Sequence, residues 1–301
     1  MNSTNPPEAF ITDPGRDERP ASRHTDDSIG AILIRSGRLS ALDADKVMRF
    51  SLARNMRFGD AAVEMGVLTA ADIELALSHQ YDYDYLLPGE SAISADVIAA
   101  YEPFTARVES LRALRNQLMW RWFDTGADRR ALAITSAESG DGRSFLTANL
   151  AVVFSQQHQR TLLIDADLRS PRQHTLFALE NRDGLSAMLA GRGGRDAIQR
   201  VPALADLSVL TTGALPPNPS ELLGLPSFGR LLRELAADYD VILIDTPSGE
   251  MYSDAQLIAS RAGAAVIVAH QDQSQLKKMR ELVALLGDAR VHLVGTVLNE
   301  Y

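Results

Sequence analysis

The stretch that most constrains this chain runs from residue 131 to 158, "ALAITSAESGDGRSFLTANLAVVFSQQH". Its opening "ALAITS" is apolar enough for a strand buried on both faces of a parallel sheet. A glycine-bearing loop follows, then an apolar run long enough for a helix. A parallel strand reaches its neighbour only through a crossover, so this order commits the chain to an α/β layer structure. Ala137 and Gly142 stand five apart, the spacing of the first small residue and second glycine in a phosphate-binding loop. Gly140 and Gly142 permit backbone twists that aim N–H groups at an anion, and the helix start adds its positive end.

The predicted phosphate-binding set is therefore Ser139, Gly140, Asp141, Gly142, Arg143, Ser144 and Phe145. Ser144 falls where a hydroxyl would ligate Mg2+. Arg143 falls where the pattern has lysine. Lysine is a compact point charge that fits beneath the β- and γ-phosphates, whereas a guanidinium is larger and forked. Only three of the 30 basic residues are lysines (Lys46, Lys277, Lys278), so the exchange follows a chain-wide preference for arginine. The expectation is a working nucleotide site with altered catalysis.

Other acidic strand ends accompany the loop. "TLLIDADLRSP" (161–171) reads as a second strand ending in Asp165 and Asp167. Alternation along an extended segment puts Asp165, Asp167 and Arg169 on one side. Carboxylates there suit Mg2+ or its waters and can orient a nucleophile. A third strand, "DVILIDTP" (240–247), ends in Asp245, placed to act on metal-bound water. Further strands over 263–270 and 290–299 alternate with helices near 227–238, 253–261 and 274–287. The fold class predicted is α/β, a doubly wound, mostly parallel sheet with ligands outside the strands' carboxyl ends.

Upstream, residues 28–51 and 57–80 form an internal repeat at a shift of 29, matching Gly30 to Gly59, Gly37 to Gly66 and Leu39 to Leu68. Each half reads as a short helix, a glycine turn, a Ser40 or Thr69 cap and a second helix, giving a small helical repeat domain over 28–80. Residues 1–27, rich in Pro, Ser and charge, predict a disordered tail without a signal-peptide core. Residues 81–103 read as a linker with one short helix, leading into the large domain over 104–301. That domain opens on a helix from Ala106 with an apolar stripe of Val108, Leu111, Leu114, Leu118 and Trp122. Glu109, Arg112 and Arg115 make a charged row beside the stripe, either a solvated salt-bridge face or a contact between subunits. The net charge of -9 argues against a nucleic-acid binder, and the lack of cysteine removes thiol chemistry and suits a cytoplasmic protein.

In that order, "SAESGDGRS", "LLIDADLR" and "VILIDTP", with "ESLRALRNQ" and "GALPPNPSELL", resemble the motifs of the bacterial tyrosine kinases. Among them the chain is most similar to the cytoplasmic kinases of exopolysaccharide chain-length systems. The resemblance implies ATP and Mg2+ at the loop, with Ser144, Asp165 and Asp245 serving the metal and Asn299 near the adenine. It implies that Asp167 orients or deprotonates the acceptor tyrosine, with Arg143 and Asp165 also catalytic. Glu109, Arg112 and Arg115 would join subunits in a ring, and a separate membrane-embedded activator would recruit the protein to the inner face of the plasma membrane. Tyr301 is either the acceptor or an inert terminal residue, with the acceptor tyrosines then on another protein.

The second repeat is similar to the N-terminal domain of type II secretion and pilus ATPases, some of which bind cyclic di-GMP. By that likeness Arg57, Phe58, Gly59, Gly66 and Gln80 would hold half of the ligand, while Ser28 and Ser51 replace the Arg and Gln in the first half. The alternative is a plain docking module. For the large domain, the rival reading is a regulatory nucleotide-binding protein without kinase activity. A positioning ATPase of the MinD/ParA kind shares the fold but needs a lysine where this chain has Glu138.

Overall fold

The computed structural model describes residues 29–300, apart from 36, 71, 74–75, 77–84, 87–88, 90, 127–128 and 251–252. The readings on residues 1–27, Gln80 and Tyr301 lie outside the described residues. The chain divides into two compact units, residues 1–80 and 81–301.

In the first unit, helix α1 (Ile29–Arg35), helix α2 (Ala41–Arg54) and helix α3 (Phe58–Glu64) surround Ile32, Leu33, Leu39, Val47, Ala61, Ala62 and Leu68. The two repeats use the same devices. Gly37 and Gly66 turn the chain at φ 71° and 66°, where a side chain would be strained. Ser40 Oγ accepts from Asp43 N at 3.0 Å, and Thr69 Oγ1 accepts from Asp72 N at 3.2 Å, each satisfying a helix-start N–H. Arg38 crosses between the repeats to Asp72 at 2.5 Å.

The second unit is a sheet of order β3-β4-β2-β5-β1-β6-β7. Its strands are β1 (Ala131–Ser136), β2 (Thr161–Asp165), β3 (Ile198–Arg200), β4 (Leu207–Leu210), β5 (Val241–Asp245), β6 (Ala264–His270) and β7 (His292–Asn299). All neighbours are parallel except β3, which runs antiparallel to β4 at one edge. Strand side chains alternate between two apolar layers. Leu132, Ile134 and Leu163 face one, formed with helices α4 (Ile98–Tyr101), α5 (Ala106–Arg121) and α6 (Arg143–Ser155). Ala133, Leu162 and Ile164 face the other. After α7 (Gln173–Leu176), that second layer is supplied by α8 (Leu185–Leu189), α9 (Pro219–Gly224), α10 (Pro226–Leu235), α11 (Asp254–Ala262) and α12 (Leu276–Asp288).

The structure departs from the sequence expectations in three places. Residues 93–101, read as linker, are built into the second unit. Ile93, Val97, Ala99 and Ala100 are buried, Asn149 Oδ1 accepts from Ala99 N at 2.9 Å, and Gln156 Nε2 donates to Ala99 O at 3.0 Å. Arg115 leaves the charged row: it is buried, and its Nη1 donates to the Val153 carbonyl on α6 at 2.8 Å. Glu109 and Arg112 do pair on the surface, and Arg112 also donates to the Tyr85 hydroxyl at 2.7 Å. Finally, β3 and β4 lie outside the strands the sequence predicts, because three- and four-residue strands carry too little periodicity to read.

Candidate active site

The doubly wound order brings the ends of β1, β5 and β2 side by side, and everything chemically notable follows from that. The loop after β1 passes Gly140 at φ 88° and Gly142 at φ 93°, left-handed conformations natural only to glycine. A Cβ on Gly142 would stand 2.2 Å from Asn299 Nδ2, which itself donates to Asp141 O at 3.2 Å. So Asn299, at the end of β7, braces the loop from behind. Asp141 is also turned inward: its carboxylate accepts from Glu138 N at 3.1 Å and from Ser274 Oγ at 2.7 Å. It shapes the loop rather than lining the cleft.

A cleft of about 740 Å³ opens above the loop, lined by Ser139, Gly140, Gly142, Arg143, Ser144 and Phe145 on one side. Asp167, Arg172, Pro216 and Ser248 are among the residues that close it. Arg143 begins α6 with its guanidinium drawn into the protein. Nε donates to Thr246 O at 3.0 Å, and Nη1 donates to Glu138 O at 2.7 Å and to Ser136 Oγ. Among the described residues, Nη2 is the donor group left for a phosphate.

Below the cleft, Asp165 and Asp245 are register partners on adjacent strands, both fully buried. Two carboxylates packed together out of water resist ionisation. Burial, then the charge of Asp245, holds Asp165 well above the usual carboxylate range. Burial raises Asp245 to about 6, against the hydrogen bond from Gln173, the polar hydroxyl of Ser144 and the charge of Arg143. Asp165 Oδ2 accepts from Arg172 N at 3.1 Å and Gln173 N at 2.9 Å, whereas Asp245 Oδ1 is buried without a partner among the described residues. An orphaned carboxylate oxygen beside a serine hydroxyl fits the shell of a Mg2+ ion, which keeps several waters and takes few protein ligands. Among the described residues no group of three His, Cys, Asp or Glu side chains forms a ready-made metal cage, so the remaining ligands would be phosphate and water.

The alternation expected over 165–169 does not hold. β2 ends at Asp165, and the chain then turns, with Asp167 Oδ1 accepting from Arg169 N at 3.1 Å and Ser170 N at 2.9 Å. Asp167 still reaches the cleft, and Arg169 lines it too. Its Nε donates to the buried Asp254 at 2.7 Å and its Nη2 to Ser220 Oγ at 3.2 Å, tying the Asp167 turn to the "PPNPSELL" segment. Sequence reasoning missed Gln173. Its Nε2 donates to Asp245 Oδ2 at 2.7 Å and to Ser144 O at 3.1 Å, joining the end of β5 to α6. A single buried amide in a four-residue helix leaves no pattern to find.

In the first unit, Phe58 packs over Gly30, Gly59 lies against Ile73 and Gly66 makes a turn. These are packing and turn roles; Arg57 is exposed at the start of α3.

A glycine loop between a central strand and a helix, with acidic ends on two neighbouring strands, defines a P-loop NTPase fold. In agreement, the family model "ParA: NUBPL iron-transfer P-loop NTPase" matches residues 128–300. The tyrosine-protein kinase YwqD of Bacillus subtilis (strain 168) is 35% identical over 209 residues, covering 69% of this chain and 87% of YwqD. The tyrosine-protein kinase wzc of Salmonella typhi is 34% identical over 205 residues, 68% of this chain but 28% of that protein. The solved kinase domain of Escherichia coli tyrosine kinase ETK superposes with a TM-score of 0.64 at 34% identity, covering 67% of this chain and 79% of that domain. The chain belongs to the bacterial tyrosine-protein kinase family.

Proposed function

We propose that this protein transfers the γ-phosphoryl group of ATP to tyrosine, on itself or on another protein, in the control of exopolysaccharide polymerisation, export and chain length. A separate membrane-embedded chain-length-determinant protein would activate it and hold it at the inner face of the plasma membrane. The kinase reading draws on the family; the polysaccharide role and the activator draw on the likeness to chain-length systems.

The observation that carries the catalytic reading is the unpartnered Asp245 Oδ1, buried beside Asp165 beneath the glycine loop. Mg2+, when bound, neutralises charge on the β- and γ-phosphates. Ser144, Asp165 and Asp245 would hold it and its waters. The backbone of Ser139–Ser144 binds the phosphates, and Arg143 Nη2 adds positive charge. Asp167, at the cleft wall, orients the tyrosine hydroxyl and accepts its proton. Because phosphoryl transfer is loose, positioning outweighs the strength of that base. Phosphotyrosine mass spectrometry after incubation with Mg2+–ATP and the cytoplasmic segment of the membrane protein tests the proposal. Phosphate on the wild type and none on Asp167→Asn, with equal nucleotide binding, supports it.

Arg143 favours a second reading. With Nε and Nη1 committed to protein acceptors, the guanidinium is held back from the place a lysine would occupy. The protein would then be a nucleotide-binding regulator of the same assembly, binding ATP tightly with no phosphotyrosine on either variant. For the first unit we propose a docking module, with cyclic di-GMP as the competing ligand. Calorimetry of the full chain with and without Arg57→Ala separates them, since docking predicts no heat with the dinucleotide.

A further inference from the structure

Among the described residues, two polar atoms around the carboxylate pair are buried without partners. One is Asp245 Oδ1; the other is the side-chain oxygen of Gln173. Gln173 is fully buried, and its amide orientation follows from its neighbours. Ser144 O and an ionised Asp245 Oδ2 are both acceptors only, so Nε2 must face them and Oε1 is the end left over. The main chain at the same position is equally committed, since Gln173 N donates to Asp165 Oδ2. One residue thus holds one oxygen of each carboxylate and the first turn of α6, and in doing so leaves Asp245 Oδ1 free.

A buried acceptor with no donor is unfavourable unless something supplies the donor. Apolar groups do not, and every described hydrogen bond of this side chain already runs through Nε2. A water coordinated to a cation is a strong donor and no acceptor, which matches two orphaned oxygens. Resting on the Mg2+–nucleotide reading above, we infer that Gln173 is a positioning residue for the hydrated cation. Its Nε2 fixes Asp245 so that Oδ1 faces the ion, and its Oε1 accepts a hydrogen bond from a metal-bound water. Residues outside the direct ligand set that orient ligands and waters typically carry a large share of metal affinity.

The test measures ADP binding to the full chain by calorimetry, in EDTA and across a Mg2+ titration, for wild type and Gln173→Met. Methionine keeps the length and apolar stem but removes donor and acceptor. Expected is an apparent Mg2+ affinity about 10–100-fold weaker in the ADP complex, with affinity for ADP in EDTA unchanged. Equal Mg2+ dependence in both proteins overturns this inference alone. A wild type whose ADP binding ignores Mg2+ overturns the nucleotide–metal reading and this inference with it. Should Gln173→Met fail to fold, the side-chain amide resonance of Gln173 in the ADP-bound, 15N-labelled wild type decides. A shift on adding Mg2+ supports the inference, and an unmoved resonance overturns it.

Discussion

Replacing Asp245 with asparagine should make the ligand-free protein more stable at neutral pH, although it removes a carboxylate of the candidate metal site. Asp245 is fully buried and pushed up to about 6 from an ordinary value of 3.8. At roughly 1.4 kcal/mol per pH unit, holding it ionised in the folded protein costs on the order of 3 kcal/mol relative to the unfolded chain. A raised folded value gives stability that is whole below about pH 3.8 and is lost as pH climbs through about 6. An asparagine in its place escapes that loss because it stays neutral. The new amide oxygen still accepts from Gln173 Nε2, and the new nitrogen replaces an oxygen that has no partner. Removing the charge also relieves Asp165, whose own ionisation is opposed by Asp245. The expected gain at pH 7.5 in EDTA is up to about 3 kcal/mol, roughly 6–12 °C in melting temperature for a unit of this size. Near pH 4 the gain should vanish. Saturating Mg2+–ADP should reverse the order, because the cation stabilises only the carboxylate. Urea unfolding at several pH values checks this; a variant less stable than wild type at pH 7.5, or a difference that ignores pH, would refute the electrostatic account.

Other perturbations separate the remaining assignments. Arg143→Lys should leave ADP affinity within about threefold while raising phosphotyrosine formation by roughly tenfold, because a compact ammonium is not drawn toward Thr246 and Glu138. Asp167→Asn should lower phosphoryl transfer by about 10²–10⁴-fold with nucleotide binding intact, as measured by phosphate incorporation beside calorimetry. Arg115→Ala should destabilise the unit by roughly 1–3 kcal/mol in urea unfolding, since it orphans the Val153 carbonyl, whereas Glu109→Ala on the surface should change stability by less than about 0.5 kcal/mol. Gly142→Ala should abolish Mg2+–ADP binding in calorimetry, because the new Cβ meets Asn299 and the φ of 93° resists a side chain.

The parts legible in the sequence were those carried by a long or repeated pattern. β1, β2 and β5 are continuous apolar runs, and an acid ending such a run in an open parallel sheet has to stand at the ligand edge; Asp165 and Asp245 could be read that way. The placing of Asp167 and Arg169 could not, because alternation holds only while the chain stays extended, and it turns after Asp165. Arg115 looks like its neighbour Arg112 in any helical projection. What buries it is a carbonyl 38 residues away on α6, and no local spacing encodes that. The same applies to residues 93–101, whose few apolar side chains read as a linker until α6 and the residue after it offer Asn149 and Gln156 to their backbone.

The sheet order has a consequence for when the site comes into being. Its three corners end β1, β5 and β2, adjacent in space, but β5 comes late in the chain and lies between the two earlier strands. A chain emerging from the ribosome therefore carries the glycine loop and Asp165 long before the strand that belongs between them. Until that late strand inserts, β1 and β2 lack their shared neighbour and the opposed carboxylates have not met. The electrostatic penalty of the pair thus arises only as the sheet closes. A ligand that needs both carboxylates therefore meets its site only at that closing step, which is a property of the finished sheet rather than of the loop that announces it.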